Sequence, residues 1–405
     1  MTVSATSLYS SDFSTSNLSQ HASLASEHVR VNSVEGLLSI QETLSKTIQT
    51  TVLPSTLEIA CYKHMVALRC FDEQATKLQR SGRISFSVPS LGEEATHIGI
   101  SAGFLSTDWL YPYYRNQGML IQRGETFERL FANLFGSSED IGGGRQMPNH
   151  YSSRKHRFVS YSSVIGTQVA HGVGAAMALA LKQKESPASE KEIVGTFLGD
   201  GATSANDFHS GMTFASVYQA PVLIGCINNQ YAISLPVEQQ IGGATVMQKG
   251  VAYGIPALQV NGNDLHAVYA STKVATEYIR QGGGPILVEY LTYRRGPHTS
   301  SDDPSRYRKE SDYTFWTDND PIEQTSKSLI SQGLWKEEQD KALWETTRQA
   351  VQQAARQASK VSLPVPESLF EDVYATRPYS LEQQRAWHLA HERNLTLTAH
   401  GEFPV

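Results

Sequence analysis

The feature that most constrains the fold is a central block in which short apolar runs alternate with longer amphipathic stretches. The runs at 192–199 (EIVGTFLG), 221–227 (PVLIGCI) and 285–291 (PILVEYL) have the length and continuity of buried strands. Helical patterns lie between them, at roughly 205–219 and 264–281. Because strands that alternate with helices form parallel sheets covered on both faces, we predict an α/β fold with a parallel sheet and helices on both faces.

The two ends of the chain differ from this block. Residues 56–80 repeat apolar side chains at spacings of three and four, which predicts an amphipathic helix. Residues 1–45 begin with a Ser- and Thr-rich stretch, and we interpret them as a flexible N-terminal extension, with a transit peptide as the alternative. We predict an α/β domain at 46–320, and a helical C-terminal extension with a short tail at 321–405.

The composition argues against several classes of protein. The 405-residue chain is 40% hydrophobic and 18% charged, with a net charge of −6 and no block of like charges, so nucleic-acid binding is not expected. No uninterrupted apolar run reaches the roughly 18 residues that a membrane span requires. Cys61, Cys70 and Cys226 lack CxxC spacing and are predicted to be buried free thiols.

The most informative polar residues follow two of the predicted strands. A Gly-Asp-Gly sequence at 199–201 ends the first strand, and the pair at 228–229 (Asn-Asn) follows the second, one strand–helix–strand unit later. Asp200 offers a hard carboxylate and Asn229 a neutral oxygen, which suit Mg²⁺, while the glycines let the backbone approach a diphosphate. A helix that begins near Thr203 would direct its N-terminus at the same anion. Each dipeptide alone is a common turn, but together they favour a metal-bound diphosphate.

This pattern is the thiamine-diphosphate motif, and from about residue 50 to 385 the chain resembles α subunits of 2-oxo-acid dehydrogenase decarboxylases. The stretches GRISFSVPSLGEEATHIG, GGGRQMPNHYSSRKHRFVSYSSVIGTQ and PESLFEDVY are similar to the branched-chain class. The resemblance implies a thiamine-diphosphate-binding fold and the activity of a 3-methyl-2-oxobutanoate dehydrogenase (2-methylpropanoyl-transferring). Such an oxidoreductase decarboxylates branched-chain 2-oxo acids and acylates the lipoyl group of the acyltransferase component. The loop GPHTSSDDPSRYRKE also resembles bacterial pyruvate enzymes, so a pyruvate dehydrogenase α subunit is the alternative.

The resemblance also assigns roles to individual positions. The residues expected to contact thiamine diphosphate are Tyr114, Arg115, Ser163, Ile165, Gly201, Ala202 and His298. Mg²⁺ would be held by the side chains of Asp200 and Asn229 and by the backbone carbonyl of Tyr231. His298 would also be catalytic, in reductive acyl transfer, because imidazole exchanges protons near neutral pH. His150 matches a family motif and is a weaker candidate for the substrate side.

A second ion is also implied by the resemblance. Ser162, Val164, Thr167 and Gln168 match the shell of a structural K⁺ in branched-chain members. The same loop could equally form a hydrogen-bonded helix start that is capped by Ser163 or Thr167. Both interpretations remain open from the sequence.

Two positions depart from the mitochondrial branched-chain pattern. Ile227 stands where those subunits carry an arginine, which puts one diphosphate contact in doubt. Thr299 stands where they carry a kinase-regulated serine, so phosphorylation control is not expected. We therefore predict a bacterial enzyme of the cytoplasm, with the mitochondrial matrix as the alternative.

The chain has room for only one cofactor-binding strand–helix unit. Thiamine enzymes use a glutamate against the aminopyrimidine, and Glu93-Glu94 is a candidate here by composition alone. In the family that glutamate comes from the β subunit, so the resemblance implies an α₂β₂ heterotetramer with cofactor sites at the α–β interfaces. A non-catalytic protein on the same fold is disfavoured by the intact motif, and an NAD enzyme by the lack of GxGxxG after a strand.

Overall fold

A five-stranded parallel sheet lies at the centre of the computed structural model, which describes residues 34–185, 187 and 191–391. Its strands are β1 (Trp109–Tyr111), β2 (Val194–Gly199), β3 (Val222–Asn228), β6 (Ala257–Asn261) and β7 (Ile286–Leu291), in the order β1-β2-β3-β7-β6. The three strands predicted from apolar runs are β2, β3 and β7, and they occupy the middle of the sheet. A small antiparallel hairpin consists of β4 (Tyr231–Ala232) and β5 (Leu235–Pro236).

The described residues contain fourteen α-helices. They are α1 (Val34–Thr50), α2 (Ser55–Arg80), α3 (Glu94–Gly103), α4 (Gln117–Gln122), α5 (Phe127–Phe135), α6 (Thr167–Lys182), α7 (Asn206–Tyr218), α8 (Val237–Gln240), α9 (Met247–Ala252), α10 (Leu265–Tyr278), α11 (Glu310–Asp318), α12 (Pro321–Ser331), α13 (Glu337–Ala358) and α14 (Tyr379–His391). Helices α2, α7 and α10 confirm the three helical patterns predicted from the sequence. The helix after the Gly-Asp-Gly sequence begins later than predicted, because residues Asp200–Ser204 form a 3₁₀ turn before α7.

Helices cover both faces of the sheet, as predicted. On one face, α3 and α10 pack together over sheet residues such as Phe197 and Ile227. On the other face, α6 and α7 pack over residues such as Val194 and Cys226. The all-apolar strands are therefore buried on both sides, which is why their sequences show no alternation.

The two ends of the described chain also join this core. Helix α1 buries Leu37 and Leu44 and packs on α10, so residues 34–45 are a packed helix and not the flexible extension that was predicted. Residues 1–33 lie outside the described residues. Helix α13 packs on α2 and α5, which confirms a helical C-terminal part. The domain boundaries at 45 and 320 stay predictions.

Two smaller expectations concern the cysteines and membranes. Cys61, Cys70 and Cys226 are buried and free, as predicted. Within the residues that the structure describes, no helix has the length and apolar character needed to cross a membrane.

Candidate functional site

A cavity of about 340 Å³ opens at the carboxyl edge of β2 and β3, where the sequence predicts the diphosphate site. The predicted residues that line it are Tyr114, Arg115, His150, Ser162, Ser163, Ile165, Gln168, Asp200, Gly201, Ala202, Asn229, Tyr231 and His298. Val164 and Thr167 are not among the lining residues. The fold therefore brings residues from widely separated parts of the chain into one cavity. They include most of the site residues that the resemblance assigned.

The register of the sheet sets Asp200 beside Asn229. In the parallel pairing of β2 and β3, Gly199 lies opposite Ile227, so the two strands end within about one residue of each other along the sheet. The Asp200 side chain is 1% exposed, and its Oδ2 atom has no hydrogen-bond partner within the described part of the chain. Burial raises the pKa of Asp200 to about 7. An oxygen buried without a partner is costly, and a bound cation would satisfy it.

The neighbouring donors fit a hard divalent ion. Asn229 contributes a buried amide oxygen that, among the described residues, accepts a hydrogen bond only from the Tyr231 amide, at 3.3 Å. The Tyr231 carbonyl accepts a hydrogen bond of 3.1 Å from Arg294, which leaves its second lone pair for another partner. A carboxylate, an amide oxygen and a carbonyl are the ligand types that Mg²⁺ takes alongside phosphate oxygens. The described residues hold no cluster of three His, Cys, Asp or Glu side chains of the kind that binds softer metals such as Zn²⁺.

The backbone between Asp200 and Ser204 forms the floor of the cavity. An added side-chain Cβ at Gly201 would lie 2.8 Å from the Cβ of Ala232, so this turn packs against the β4–β5 hairpin only with glycine. Exposed amides of a 3₁₀ turn suit an anion, and Gly201 and Ala202 both face the cavity. The local geometry thus agrees with a phosphate-sized ligand above this turn.

Two buried guanidinium groups converge on the same cavity. Arg115, 1% exposed, donates to the carbonyls of Pro89 (2.5 Å) and His298 (3.0 Å). Arg294 donates to the carbonyls of Tyr231 (3.1 Å) and Ile233 (2.5 Å). These bonds hold two fixed positive charges at one end of the cavity, where a diphosphate would be neutralised.

His298 lies between these two arginines. Its Nδ1 atom is 3.3 Å from Arg115 Nη2 and 3.5 Å from Arg294 Nη1. A guanidinium only donates, so Nδ1 accepts and the proton of the neutral ring is on Nε2. Burial first, and then the charges of Arg115 and Arg294, lower the pKa of His298 to about 3. The loop that carries it is held by Asp302, which accepts from the His298 amide at 2.6 Å.

The other end of the cavity is less charged. Ser163 Oγ lies 2.6 Å from His150 Nε2, and His150 Nδ1 is 3.2 Å from the Pro148 carbonyl. The carbonyl accepts only, so Nδ1 carries the proton and Ser163 donates to Nε2. Phe86, Val88 and Ile165 add apolar side chains to the cavity lining, and the sequence did not single out the first two.

The loop proposed for K⁺ bonds largely to itself. Ser162 Oγ accepts from the Val164 amide at 2.9 Å, and Thr167 Oγ1 donates to the Val164 carbonyl at 3.1 Å. Helix α6 then begins without a side-chain cap. Gln168 donates to the Phe197 carbonyl, while its Oε1 atom is buried without a recorded partner in the described residues. The K⁺ site stays a prediction.

Sequence reasoning missed one arginine and doubted another contact. Arg294 lines the cavity, but nothing in YRRG distinguishes it from Arg295, which pairs with Asp320. Ile227 is fully buried in the core on the α3 and α10 face, so this position offers nothing to the cavity. Glu93 and Glu94, the candidates by composition for the activating glutamate, do not line the cavity either.

The sequence is also similar to proteins of known type. A family model described as dehydrogenase E1 component matches residues 62–367. The human protein named 2-oxoisovalerate dehydrogenase subunit alpha, mitochondrial, is 39% identical over 334 residues, covering 82% of this chain and 74% of its own. The Caenorhabditis elegans protein of the same name is 38% identical, over 80% of this chain and 74% of its own. The corresponding alpha 1 subunit of Arabidopsis thaliana is 37% identical, with 81% and 68% covered. The chain belongs to the dehydrogenase E1 component family, which confirms the resemblance read from its motifs.

Proposed function

We propose that the chain is the α subunit of the decarboxylating component of a branched-chain 2-oxo-acid dehydrogenase complex. The observation that carries the proposal is the buried Asp200 carboxylate beside Asn229 at the edge of the sheet, whose Oδ2 atom has no hydrogen-bond partner among the described residues. The relatives at 37–39% identity are named as α subunits of 2-oxoisovalerate dehydrogenase, which supports the same acyl class.

Asp200, Asn229 and the Tyr231 carbonyl would hold Mg²⁺ against the diphosphate of thiamine diphosphate. Arg115, with the amides of Gly201 and Ala202, would bind the diphosphate oxygens, because fixed N–H donors match them. When bound, the cofactor supplies the carbon nucleophile and the electron sink for decarboxylation of a 2-oxo acid. The chain contributes orientation, and it keeps the reacting end of the cavity apolar.

His298 is proposed to hold and transfer a proton during acylation of the lipoyl group. Its Nδ1 atom faces two arginines, so the neutral ring carries its proton on Nε2. Burial and then the two guanidinium charges lower the pKa of His298 and keep this ring neutral in the free protein, and a diphosphate would reduce the effect of those charges. A ring whose pKa rises on cofactor binding is suited to proton transfer at neutral pH.

The branched-chain specificity is proposed to rest on three apolar residues that line the cavity. Phe86, Val88 and Ile165 present aliphatic and aromatic surface, which favours an isopropyl-type side chain over a single methyl group. A pyruvate dehydrogenase α subunit is the second candidate, since the loop that begins at Gly296 resembles both classes. A hydrophobic pocket discriminates by only about 1–3 kcal/mol per methylene, so the choice requires a substrate panel.

A β subunit is the proposed partner, in an α₂β₂ heterotetramer. No glutamate lines the cavity among the described residues, although thiamine enzymes need one at the aminopyrimidine. Val164, Ile165, Ile233 and Leu235, which we call the rim, expose 40–65% of their surface at or beside the cavity. Such a cluster of exposed apolar side chains at a site mouth is typical of a surface that another protein covers. A lipoyl-bearing acyltransferase would be the next component.

The three relatives are named as mitochondrial proteins. For this chain we retain the bacterial cytoplasm as the prediction, because Thr299 and Ile227 depart from the mitochondrial pattern. The mitochondrial matrix is the alternative, and cell fractionation with an antibody to the chain distinguishes the two.

The test of the proposed function is co-purification with the β subunit followed by a substrate panel. With thiamine diphosphate and Mg²⁺, we expect decarboxylation of 3-methyl-2-oxobutanoate with a higher kcat/KM than that of pyruvate. A preference for pyruvate would support the second candidate. No cofactor-dependent turnover of either substrate would contradict both.

A further inference from the structure

Glu93 is a fully buried carboxylate to which the proposed chemistry assigns no role. It is 0% exposed and stands immediately before α3, at the junction with the loop that precedes the helix. Its Oε1 atom accepts a hydrogen bond of 2.8 Å from Asn229 Nδ2 and lies 3.6 Å from Arg115 Nε. Its Oε2 atom accepts from the Tyr113 hydroxyl at 3.2 Å and lies 3.3 Å from His97 Nε2.

The contact with Asn229 determines which way that amide points. A carboxylate only accepts hydrogen bonds, so the amide nitrogen of Asn229 must face Glu93. The amide oxygen of Asn229 is then turned away from Glu93, where it accepts from the Tyr231 amide at 3.3 Å beside the cavity that Asn229 lines. If the amide were reversed, two oxygens would face each other at 2.8 Å and the metal side would present N–H donors to a cation.

The same carboxylate lies beside the arginine of the diphosphate end. Arg115 Nε has no hydrogen-bond partner in the described residues, and Glu93 Oε1 is the carboxylate nearest to it. Buried opposite charges at this distance stabilise each other, which favours one orientation of the guanidinium plane. One carboxylate thus orients both a proposed metal ligand and a proposed phosphate ligand.

The adjacent Glu94 has different partners. It is equally buried, but it pairs with Arg69 at 2.5 Å and accepts from the Gly92 amide at 2.9 Å. Arg69 also pairs with Asp320, so Glu94 belongs to an ion-pair group that joins α2 to α12. The two consecutive glutamates therefore provide a matched pair, one directed to the cavity residues and one to the core.

We propose that Glu93 is a positioning residue that orients the Asn229 amide oxygen for Mg²⁺ and holds Arg115 toward the diphosphate. The proposal rests on the proposed function, since it presumes that Asn229 and Arg115 bind the metal and the diphosphate. Partners that orient a metal ligand typically contribute about 10- to 100-fold in metal affinity. Glu93 does not touch the reacting atoms, so its loss should weaken cofactor binding more than it lowers kcat.

The test compares Glu93→Ala, Glu93→Gln and Glu94→Ala in the full chain co-purified with its β subunit. Calorimetry gives the Mg²⁺ concentration for half-maximal binding of thiamine diphosphate, and thermal unfolding without cofactor reports folding. We expect Glu93→Ala to raise that Mg²⁺ concentration at least about 10-fold. Glu93→Gln, which keeps an acceptor oxygen for Asn229, should recover most of the loss. Glu94→Ala should lower the unfolding temperature while the Mg²⁺ dependence stays within about threefold of the unsubstituted chain.

A double-mutant comparison asks whether Glu93 acts through Asn229. In an Asn229→Ala background, Glu93→Ala should cause a smaller additional loss than it does alone, because its target is already absent. If Glu93→Ala does not fold, Glu93→Asp gives the same information, since its carboxylate is withdrawn by one methylene and loses its reach to Asn229.

Three outcomes would overturn the proposal. The first is that the folded Glu93→Ala variant, or Glu93→Asp in its place, needs a Mg²⁺ concentration within threefold of that of the unsubstituted chain. The second is that the Glu93 and Glu94 variants lose cofactor binding equally. The third is that the losses from the Glu93 substitution and from Asn229→Ala add fully in the double variant. Failure of the proposed function is distinguishable, because the unsubstituted chain would then show no Mg²⁺-dependent binding of thiamine diphosphate at all.

Discussion

The two ends of the cavity contrast in burial and in bonding. At the diphosphate end, Asp200, Asn229 and Arg115 are 1–4% exposed, and hydrogen bonds within the chain hold Asn229 and Arg115. At the rim, Val164 and Ile165 are 65% and 46% exposed, and they offer apolar surface to solvent. The first end is fixed by contacts within the chain, while the second leaves apolar side chains uncovered. This difference is what the proposed function requires, namely a chain that binds the cofactor's phosphates and depends on a partner for chemistry.

The largest expected effect on cofactor binding comes from Asp200→Ala. A ligand present at about 100 times its Kd stabilises a folded protein by about 2.7 kcal/mol. The variant should lose all of the thermal stabilisation that thiamine diphosphate with Mg²⁺ gives the unsubstituted chain. Asp207→Ala, on α7 and outside the cavity lining, is the control and should keep it. If Asp200→Ala retained more than half of the shift, the diphosphate end would not depend on this carboxylate.

A smaller loss is expected from Arg115→Lys. Lysine keeps the charge but loses the forked donors that match phosphate oxygens, so the KM for thiamine diphosphate should rise about 10-fold, or about 1.4 kcal/mol. Arg123→Lys serves as the control, because Arg123 binds the Asp108 and His156 carbonyls away from the cavity. Steady-state kinetics with varied cofactor measure both variants. Equal increases in the KM for thiamine diphosphate in the two variants would mean that the substitutions act on general stability and not on diphosphate binding.

A third effect concerns protons rather than affinity. The pKa of His298 is lowered to about 3 by burial and by the two arginines, whereas an unfolded histidine titrates near 6.5. Between these values the unfolded chain binds the proton and the folded chain does not. The contribution of His298 to stability is therefore present above pH 6.5 and is lost as the pH falls toward 3.

A bound diphosphate would offset the arginine charges and raise this pKa, so binding at pH 6 should take up more protons than it does in His298→Gln. Calorimetry in two buffers of different ionisation enthalpy measures the uptake. His171→Gln, an exposed substitution on α6, should match the unsubstituted chain. Equal proton uptake by His298→Gln and the unsubstituted chain would mean that diphosphate binding does not change the protonation of His298.

The smallest effect on the isolated chain is expected at the rim. Val164→Ser should change the free energy of unfolding by no more than about 0.5 kcal/mol, because the side chain is mostly in solvent. The same substitution should weaken co-purification with the β subunit, whereas Leu38→Ser, an exposed substitution on α1, should not. If Val164→Ser co-purified with the β subunit as well as the unsubstituted chain does, the rim would not be part of the interface.

The strands that could be predicted from sequence are those buried on both faces. β2 and β3 are continuous apolar runs, and their ends locate Asp200 and Asn229. β1 has only three residues, and β6 is half exposed, so neither has a run that stands out from the surrounding loops. Propensity is weak for edge strands, because their formation depends on the neighbour that they pair with.

The lining residues of the cavity could be predicted where a sequence motif contains them. They could not be predicted where only one of two adjacent, identical residues contacts the site. Arg294 and Arg295 are adjacent and chemically identical, yet one enters the cavity and the other pairs with Asp320. Glu93 and Glu94 divide in the same way between the site and the core. Which of two neighbours turns inward depends on the direction of the backbone, and composition carries no record of that direction.

The central claim is that this chain binds the cofactor's diphosphate but requires a partner to react. Its most direct test is decarboxylation of 3-methyl-2-oxobutanoate, measured with saturating thiamine diphosphate and Mg²⁺, for the chain alone and after the β subunit is added. We predict negligible turnover for the chain alone and full turnover on addition. Full turnover by the chain alone would contradict the claim.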